Sequence, residues 1–218
     1  MKETRLIIIG ASFAFEVIDL VNEINKKKIQ NIKIVGILDD NKSYRKKKIR
    51  NVPVIGEIKD IKKFKTESIN ISINNFRNRF VQKKIIKKYS LKPSRFLTLI
   101  HPKSHIGSNT KIGNGSVIFQ FVNIVANVVI KDNTRVNPFT SITPGCVIGS
   151  NCTISHGVKI GVNSIIKDEC FIGTGSIISE NIKLSSGIML CENSYANKSI
   201  NINRAVLIGN PARVIAKS

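Results

Sequence analysis

The chain has 218 residues, 42% of them hydrophobic and 22% charged, enough apolar content for one large or two small packed cores. That composition excludes a disordered or fibrous class, and no run approaches the roughly 20 apolar residues of a membrane-spanning helix. Lys and Arg total 35 against 14 Asp and Glu, a formal charge of +21 that attracts anionic ligands and raises nucleic acid as a partner.

Ile, Lys and Asn are inflated together, as in a genome rich in A and T. The runs Lys26–Lys28, Lys46–Lys48 and Lys83–Lys84 fall in loop-like or helix-surface stretches with no aromatics interleaved for base stacking. The charge is therefore read as solvated surface, and nucleic acid is disfavoured. Residues 5–10 (Arg-Leu-Ile-Ile-Ile-Gly) form a short apolar run behind an acidic flank, with no cleavage site after it. That predicts a buried strand rather than a signal peptide, and hence a cytoplasmic protein.

A helix is expected from Phe13 to Asn25, because Phe13, Val17, Leu20, Val21 and Ile24 recur at helical spacing. Residues 33–38 predict a second strand that ends at Asp39-Asp40-Asn41. Further strands are expected at Val52–Ile55 and Ile69–Ile73, with helices near Asp60 and from Asn78 to Tyr89. Strand–helix–strand order predicts a small Rossmann-like parallel sheet over residues 1–100. Ligands of such sheets bind beyond the carboxyl ends of the strands, here Gly10–Phe13, Asp39–Asn41 and Asn74–Arg79. Gly10-Ala11-Ser12-Phe13 keeps one glycine where a dinucleotide fingerprint needs three, which disfavours NAD. Asp39 and Asp40 either accept hydrogen bonds from a base or sugar, or cap a loop.

The second half is a repeat. Every sixth residue from Ile106 to Ala196 is apolar, sixteen positions in succession of which fifteen are Ile, Val or Leu. A period of six fits neither a helix nor an alternating strand. Gly follows at Gly107, Gly113, Gly149, Gly161 and Gly173, where a tight corner needs a residue without Cβ. Asn, Ser, Thr and Asp fill most other slots, as turns require. The pattern predicts a prism of short parallel strands over residues 101–218, each repeated Ile pointing into a narrow core. Cys146, Cys152 and Cys170 each stand two residues before a repeat Ile, a small-residue slot, which predicts buried inert thiols. The four cysteines lack CxxC spacing, so no zinc site and no disulfide framework is expected.

These hexads resemble the repeats of the left-handed parallel β-helix acyltransferases, and the step Gly209-Asn210-Pro211-Ala212 resembles the closing motif of that superfamily. The hexads after Leu184 lose their glycines and turn polar, so an irregular last coil is expected. An N-terminal α/β half followed by such a β-helix resembles the bacterial sugar acetyltransferases, both the sialic-acid O-acetyltransferases and the N-acetyltransferases of nucleotide-linked 4-amino sugars. The resemblance implies a homotrimer that takes acetyl-CoA along a groove between neighbouring prisms. It also implies a nucleotide-sugar on the first domain, near Gly10, Ser12, Phe13, Asp39, Asp40, Asn41, Asn74 and Arg79. Two departures stand out: the family's glycine pair is Ser12-Phe13 here, and its nearby His is Ala14.

Acetyl transfer requires that the acceptor lose a proton and that the thioester oxyanion be stabilised. The family's usual base stands in a pattern close to Asn-x6-His-Asp-Cys-x-Ile-Gly. Here that run begins at Asn137 and places Pro144, which cannot accept a proton, at the histidine position. Of the three histidines, His101 is read as structural and His105 as an exposed bystander, which leaves His156 as the candidate base. For acetyl-CoA the candidates are backbone groups around Gly161, Gly173 and Gly175, with Arg213 or Lys217 near the phosphates. An amine acceptor tolerates a missing base better than a hydroxyl, so the expected activity is N-acetylation of a nucleotide-linked amino sugar. Sugar O-acetylation and a catalytically silent homologue are the alternatives.

Overall fold

The computed structural model describes residues 2–73 and 80–217, and the chain divides into two compact units, Met1–Pro102 and Lys103–Ser218. In the first unit, β1 (Thr4–Ile9), α1 (Ala14–Lys26), β2 (Ile32–Leu38), β3 (Lys48–Ile49), β4 (Val52–Gly56), β5 (Ser68–Ile71) and α2 (Val81–Lys88) follow in order. One sheet runs β3-β4-β2-β1-β5. The contacts among β1, β2, β4 and β5 are parallel, and only the short β3 runs antiparallel to β4. Leu6, Ile7, Ile8 and Ile9 of the central β1 are wholly buried, as befits a strand covered on both faces. α1 buries Ala14, Val17, Ile18, Leu20, Val21 and Ile24, the apolar stripe of a 3.6-residue period.

Two expectations for this unit need adjustment. α1 begins at Ala14, and Phe13 caps it with no side-chain hydrogen bond. The helix expected near Asp60 is a 3-10 turn over Ile58–Lys63. Glu57 and Asp60 close a capping box there, and only Ile58 and Ile61 are buried, too little apolar surface to extend the turn into a longer helix.

The second unit is the prism that the period of six foretells. Two-residue strands pair in parallel with strands eighteen positions away, as in Asn123–Ile124 beside His105–Ile106 on one side and Ser141–Ile142 on the other. Three hexads therefore make one coil, and three parallel sheets form its faces. From Ile118 to Ala196 every repeated apolar residue is at least 98% buried. The coil stays regular past Leu184: Tyr195–Ala196 still pairs with Ile177–Ile178, contrary to the irregular last coil expected from its polar hexads. A hairpin of Ala205–Gly209 and Ala212–Lys217 then extends one face by pairing with Met189 and Leu190.

The glycines after the repeat residue are required for a reason other than torsion. A Cβ on Gly161 would stand 2.5 Å from the Glu180 backbone nitrogen, so these glycines let successive coils stack closely. The left-handed torsion falls two residues later, at a slot held by Asn109, Asn127, Asn133, Asn151, Asn163, Asn181 and Asn193 or by glycine, with Phe121, Phe139 and Glu169 as the exceptions. The small-residue slot has its own bond. Ser164 Oγ donates to the Ser179 carbonyl at 2.8 Å, and the Cys146, Cys152 and Cys170 thiols donate to the carbonyls of Gly161, Lys167 and Ser185 at 3.1, 3.2 and 3.2 Å. All three thiols are buried, whereas Cys191 is half-buried.

Candidate active site

One corner of the prism gathers the polar chemistry. It follows the face whose strands include Arg135–Val136, Thr153–Ile154 and Phe171–Ile172. On successive coils it carries Phe119 to Phe121, Asn137 to Phe139, His156 to Gly157, and Thr174 to Gly175. The stack is tied by the Gly157 N–H on the Pro138 carbonyl at 3.0 Å and the Gly175 N–H on the His156 carbonyl at 2.9 Å.

His156 is exposed at this corner, yet part of its ring is desolvated. That desolvation, and then the charge of Arg135, hold its pKa below the ordinary 6.5. The imidazole is therefore neutral at pH 7 and free to take a proton. Arg135 is 5% exposed, an unusual place for a cation. Its Nε donates to Asn137 Oδ1 at 2.8 Å, its guanidinium lies 4.3 Å from the Phe119 ring centroid, and burial lowers its pKa to about 9. Sequence reasoning passed over Arg135, because a residue just before a repeat Val normally points to solvent.

Pro144 follows a different face, two residues after Ile142. Its carbonyl accepts the Asn163 N–H at 3.0 Å, so it and His156 stand at separate corners. His101 is buried, and His105 is exposed in the first coil strand.

The glycines named for acetyl-CoA are less open than the sequence suggests. The N–H groups of Gly161, Gly173 and Gly175 donate to the carbonyls of Ile178, Leu190 and His156 at 2.8, 2.7 and 2.9 Å. The coil ladder consumes these donors and Gly173 is buried, so only Gly161 and Gly175 offer a ligand backbone surface, without N–H groups. Arg213 and Lys217 are exposed on the terminal hairpin. A separate cleft of about 310 Å³ on the prism brings together Lys131, Lys167 and Lys183 beside Gly149 and Ile165.

At the carboxyl edge of the first unit's sheet, Gly10 has φ +100° and donates to the Leu38 carbonyl at 2.9 Å. Asp39 Oδ2 accepts the Ala11 N–H at 2.6 Å, and its Oδ1 accepts the Asn41 N–H at 2.7 Å. Asp40 caps Ile58, and Asn41 caps Ser43. Of the two roles left open for this acidic pair, the backbone is the partner in hand. Ser12 is exposed, with its Oγ 3.5 Å from the Tyr44 hydroxyl, and Phe13 is half-buried. Asn70 and Ser72, on one face of β5 and its extension, are buried with side-chain atoms that find no partner. Such groups in a core call for a ligand or an ordered water. Asn74 and Arg79 lie outside the described residues. Among the described residues, no group of three or more His, Cys, Asp or Glu could hold a metal, and no helix is long and apolar enough to cross a membrane.

Residues 127–162 match the bacterial transferase hexapeptide family (six repeats). No curated protein sequence matches the chain significantly. Among solved structures, the acetyltransferase domain of PglB from Neisseria gonorrhoeae in complex with acetyl coenzyme A is 23% identical. It covers 98% of this chain and 100% of its own, with a TM-score of 0.83. PerB from Caulobacter crescentus, solved with CoA and GDP-perosamine, is 17% identical over 97% of both chains, TM-score 0.66. WeeI from Acinetobacter baumannii is 19% identical over 98% of this chain and 100% of its own, TM-score 0.66. As the resemblance in the sequence implied, this chain carries the hexapeptide repeat of bacterial transferases on the fold that these acetyltransferases share.

Proposed function

We propose that the protein transfers an acetyl group from acetyl-CoA to the amine of a nucleotide-linked amino sugar, a glycan precursor. The observation that carries this reading is the likeness of fold over nearly the whole chain to acetyltransferases solved with acetyl coenzyme A and with CoA and GDP-perosamine. In this reading the first unit is a Rossmann-like domain that holds the nucleotide at the Gly10, Ser12, Phe13 and Asp39–Asn41 edge, with Asn74 and Arg79 beyond it. The second unit is a left-handed coil that assembles as a cytoplasmic homotrimer. Arg213, Lys217 and the lysine cleft at Lys131, Lys167 and Lys183 suit the phosphates of CoA, because ammonium groups attract multiply charged anions.

His156 takes the proton from the acceptor nitrogen as that nitrogen attacks the thioester carbon. The tetrahedral oxyanion then collapses, and CoA leaves as the thiol once the proton is returned to sulfur. Neutral imidazole at pH 7 suits this task, and its depressed pKa follows from desolvation first and then from the charge of Arg135. The same neutral His156 favours a second reading, O-acetylation of a sugar hydroxyl, which depends on a base more strongly than an amine does.

The test is CoA thiol release from acetyl-CoA against UDP-, dTDP- and GDP-linked 4-amino sugars, with sialic acid as the hydroxyl control. Release with an amino sugar supports N-acetylation. Release with sialic acid alone moves the assignment to O-acetylation, and silence across the panel leaves the non-catalytic homologue.

A further inference from the structure

Two phenylalanines occupy a backbone slot that does not suit them. Phe121 (φ +58°) and Phe139 (φ +63°) sit at the left-handed position that Asn or Gly fills in nearly every other hexad. A residue with Cβ pays about 1–2 kcal/mol there, and a bulky aromatic lacks the local hydrogen bond that eases Asn. Both rings are also in water, 49% and 67% exposed. They stack on each other, centroids 5.2 Å apart and planes 17° from parallel. Torsional strain and aromatic exposure are thus tolerated at one corner of the prism, on two consecutive coils. Strain retained in this way points to function rather than to folding.

The corner is the one that carries His156. Below Phe139, the next residue in the same slot is Gly157, where an added Cβ would meet nothing within 4 Å. The aromatic wall therefore ends at an open notch flanked by His156. At the other end the Lys103 ammonium stands 5.7 Å from the Phe121 ring centroid, a cation beside the wall. Because the two rings are stacked, the face of Phe139 turned away from Phe121 is the open aromatic face beside this notch, a surface that suits a sugar ring whose amine reaches His156. The C–H groups of a pyranose face carry partial positive charge and pack on the negative face of an aromatic ring. Each hydroxyl lost from a deoxy sugar widens that apolar face.

Building on the acetyl-transfer reading above, we infer that Phe139, backed by Phe121, forms the wall that receives the apolar ring face of the acceptor sugar beside His156, and that the pair selects acceptors with deoxygenated faces. They are specificity residues. His156 remains the group that moves the proton.

Asn is the natural occupant of the slot, so Phe121→Asn and Phe139→Asn keep the coil intact. Each is expected to raise KM for the amino-sugar acceptor about tenfold while leaving KM for acetyl-CoA within about twofold, since one stacked ring is removed and the donor groove is untouched. The chain has no tryptophan, so Phe139→Trp places a sole indole on the wall. Its emission should change saturably on titration with UDP-, dTDP- or GDP-linked 4-amino-4,6-dideoxyhexoses, and not with the nucleoside diphosphates alone. A saturable change without thiol release by the wild type would overturn the acetyl-transfer reading and keep the wall. Unchanged emission with every probe, with acceptor KM within twofold in the Asn variants, overturns the wall. A fall in sedimentation mass of Phe139→Asn also overturns it, because the rings would then belong to a contact with a second copy.

Discussion

The guanidinium of Arg135 lies 4.3 Å from the centroid of the Phe119 ring, one coil away. This stacking fixes a buried cation beside the corner where His156 stands, and its charge adds to desolvation in depressing the imidazole. A cation that cannot reorient into water is a fixed electrostatic influence on its neighbour.

The pH profile of turnover follows from this pair. His156 titrates below 6.5 in the folded protein, so kcat/KM should hold at neutral pH and fall as pH drops through that lowered value. Arg135→Met keeps length and packing on Phe119 but removes the charge. The acid limb should move upward, yet stay below 6.5, because desolvation is the larger cause and survives the substitution. His156→Ala should lose this limb and about 10²–10⁴-fold in rate. An unchanged limb in His156→Ala would remove the histidine from the mechanism. The stability effect has the same sign: the unfolded chain binds the proton first, so the His156 contribution is present above about pH 6.5 and is lost on acidification.

Thiol chemistry should separate one cysteine from three. Cys191 is half-buried while Cys146, Cys152 and Cys170 are buried. Native protein treated with a thiol-reactive disulfide should label Cys191 first, and slowly, since burial and then Glu192 raise its pKa. The other three should react only on unfolding. Cys152→Ser should change stability by no more than about 1 kcal/mol, because Ser164 already makes the equivalent bond in its own coil. Rapid modification of several thiols in the native state would contradict the buried ladder.

Two glycine substitutions test the difference between stacking and torsion. Gly161→Ala drives a Cβ to 2.5 Å from backbone, and should cost about 1–3 kcal/mol as overpacking. Gly157 has φ +64° and open space around it, so Gly157→Asn should stay within about 0.5 kcal/mol of the parent. Denaturant midpoints of the prism transition would compare them. Equal losses at both positions would refute the distinction.

The apolar column should be weaker in its first coil. Ile166 is fully buried, whereas Ile112 in the first coil is only half-buried. Ile166→Ala should cost about 2–5 kcal/mol, and Ile112→Ala clearly less. A comparable loss at both would mean that the first coil is covered as tightly as the middle.

The column from Ile118 to Ala196 was legible from sequence because a coil repeats one environment at a fixed interval, so burial registers as a period. β1 was legible for a similar reason, since four consecutive buried residues leave an unbroken apolar run. The slot of Cys146, Cys152 and Cys170 followed from the same arithmetic, although its bond to a carbonyl fifteen residues on did not. What the tertiary structure alone decided is what lies across from a residue rather than along from it. Arg135 is buried like Val117, Thr153 and Phe171 in the same slot of the neighbouring coils, and its contacts with Phe119 and Asn137 are ones that hydropathy does not mark. Asp39 and Asp40 are drawn as caps by backbone N–H groups at Ala11 and Ile58 that are distant in sequence. The Phe121 and Phe139 pair lay in plain view as two of the three breaks, with Glu169, in a slot of Asn and Gly. Their meaning appears only once the coil stacks one break on the other, because contact between rings eighteen residues apart is set by the pitch of the prism.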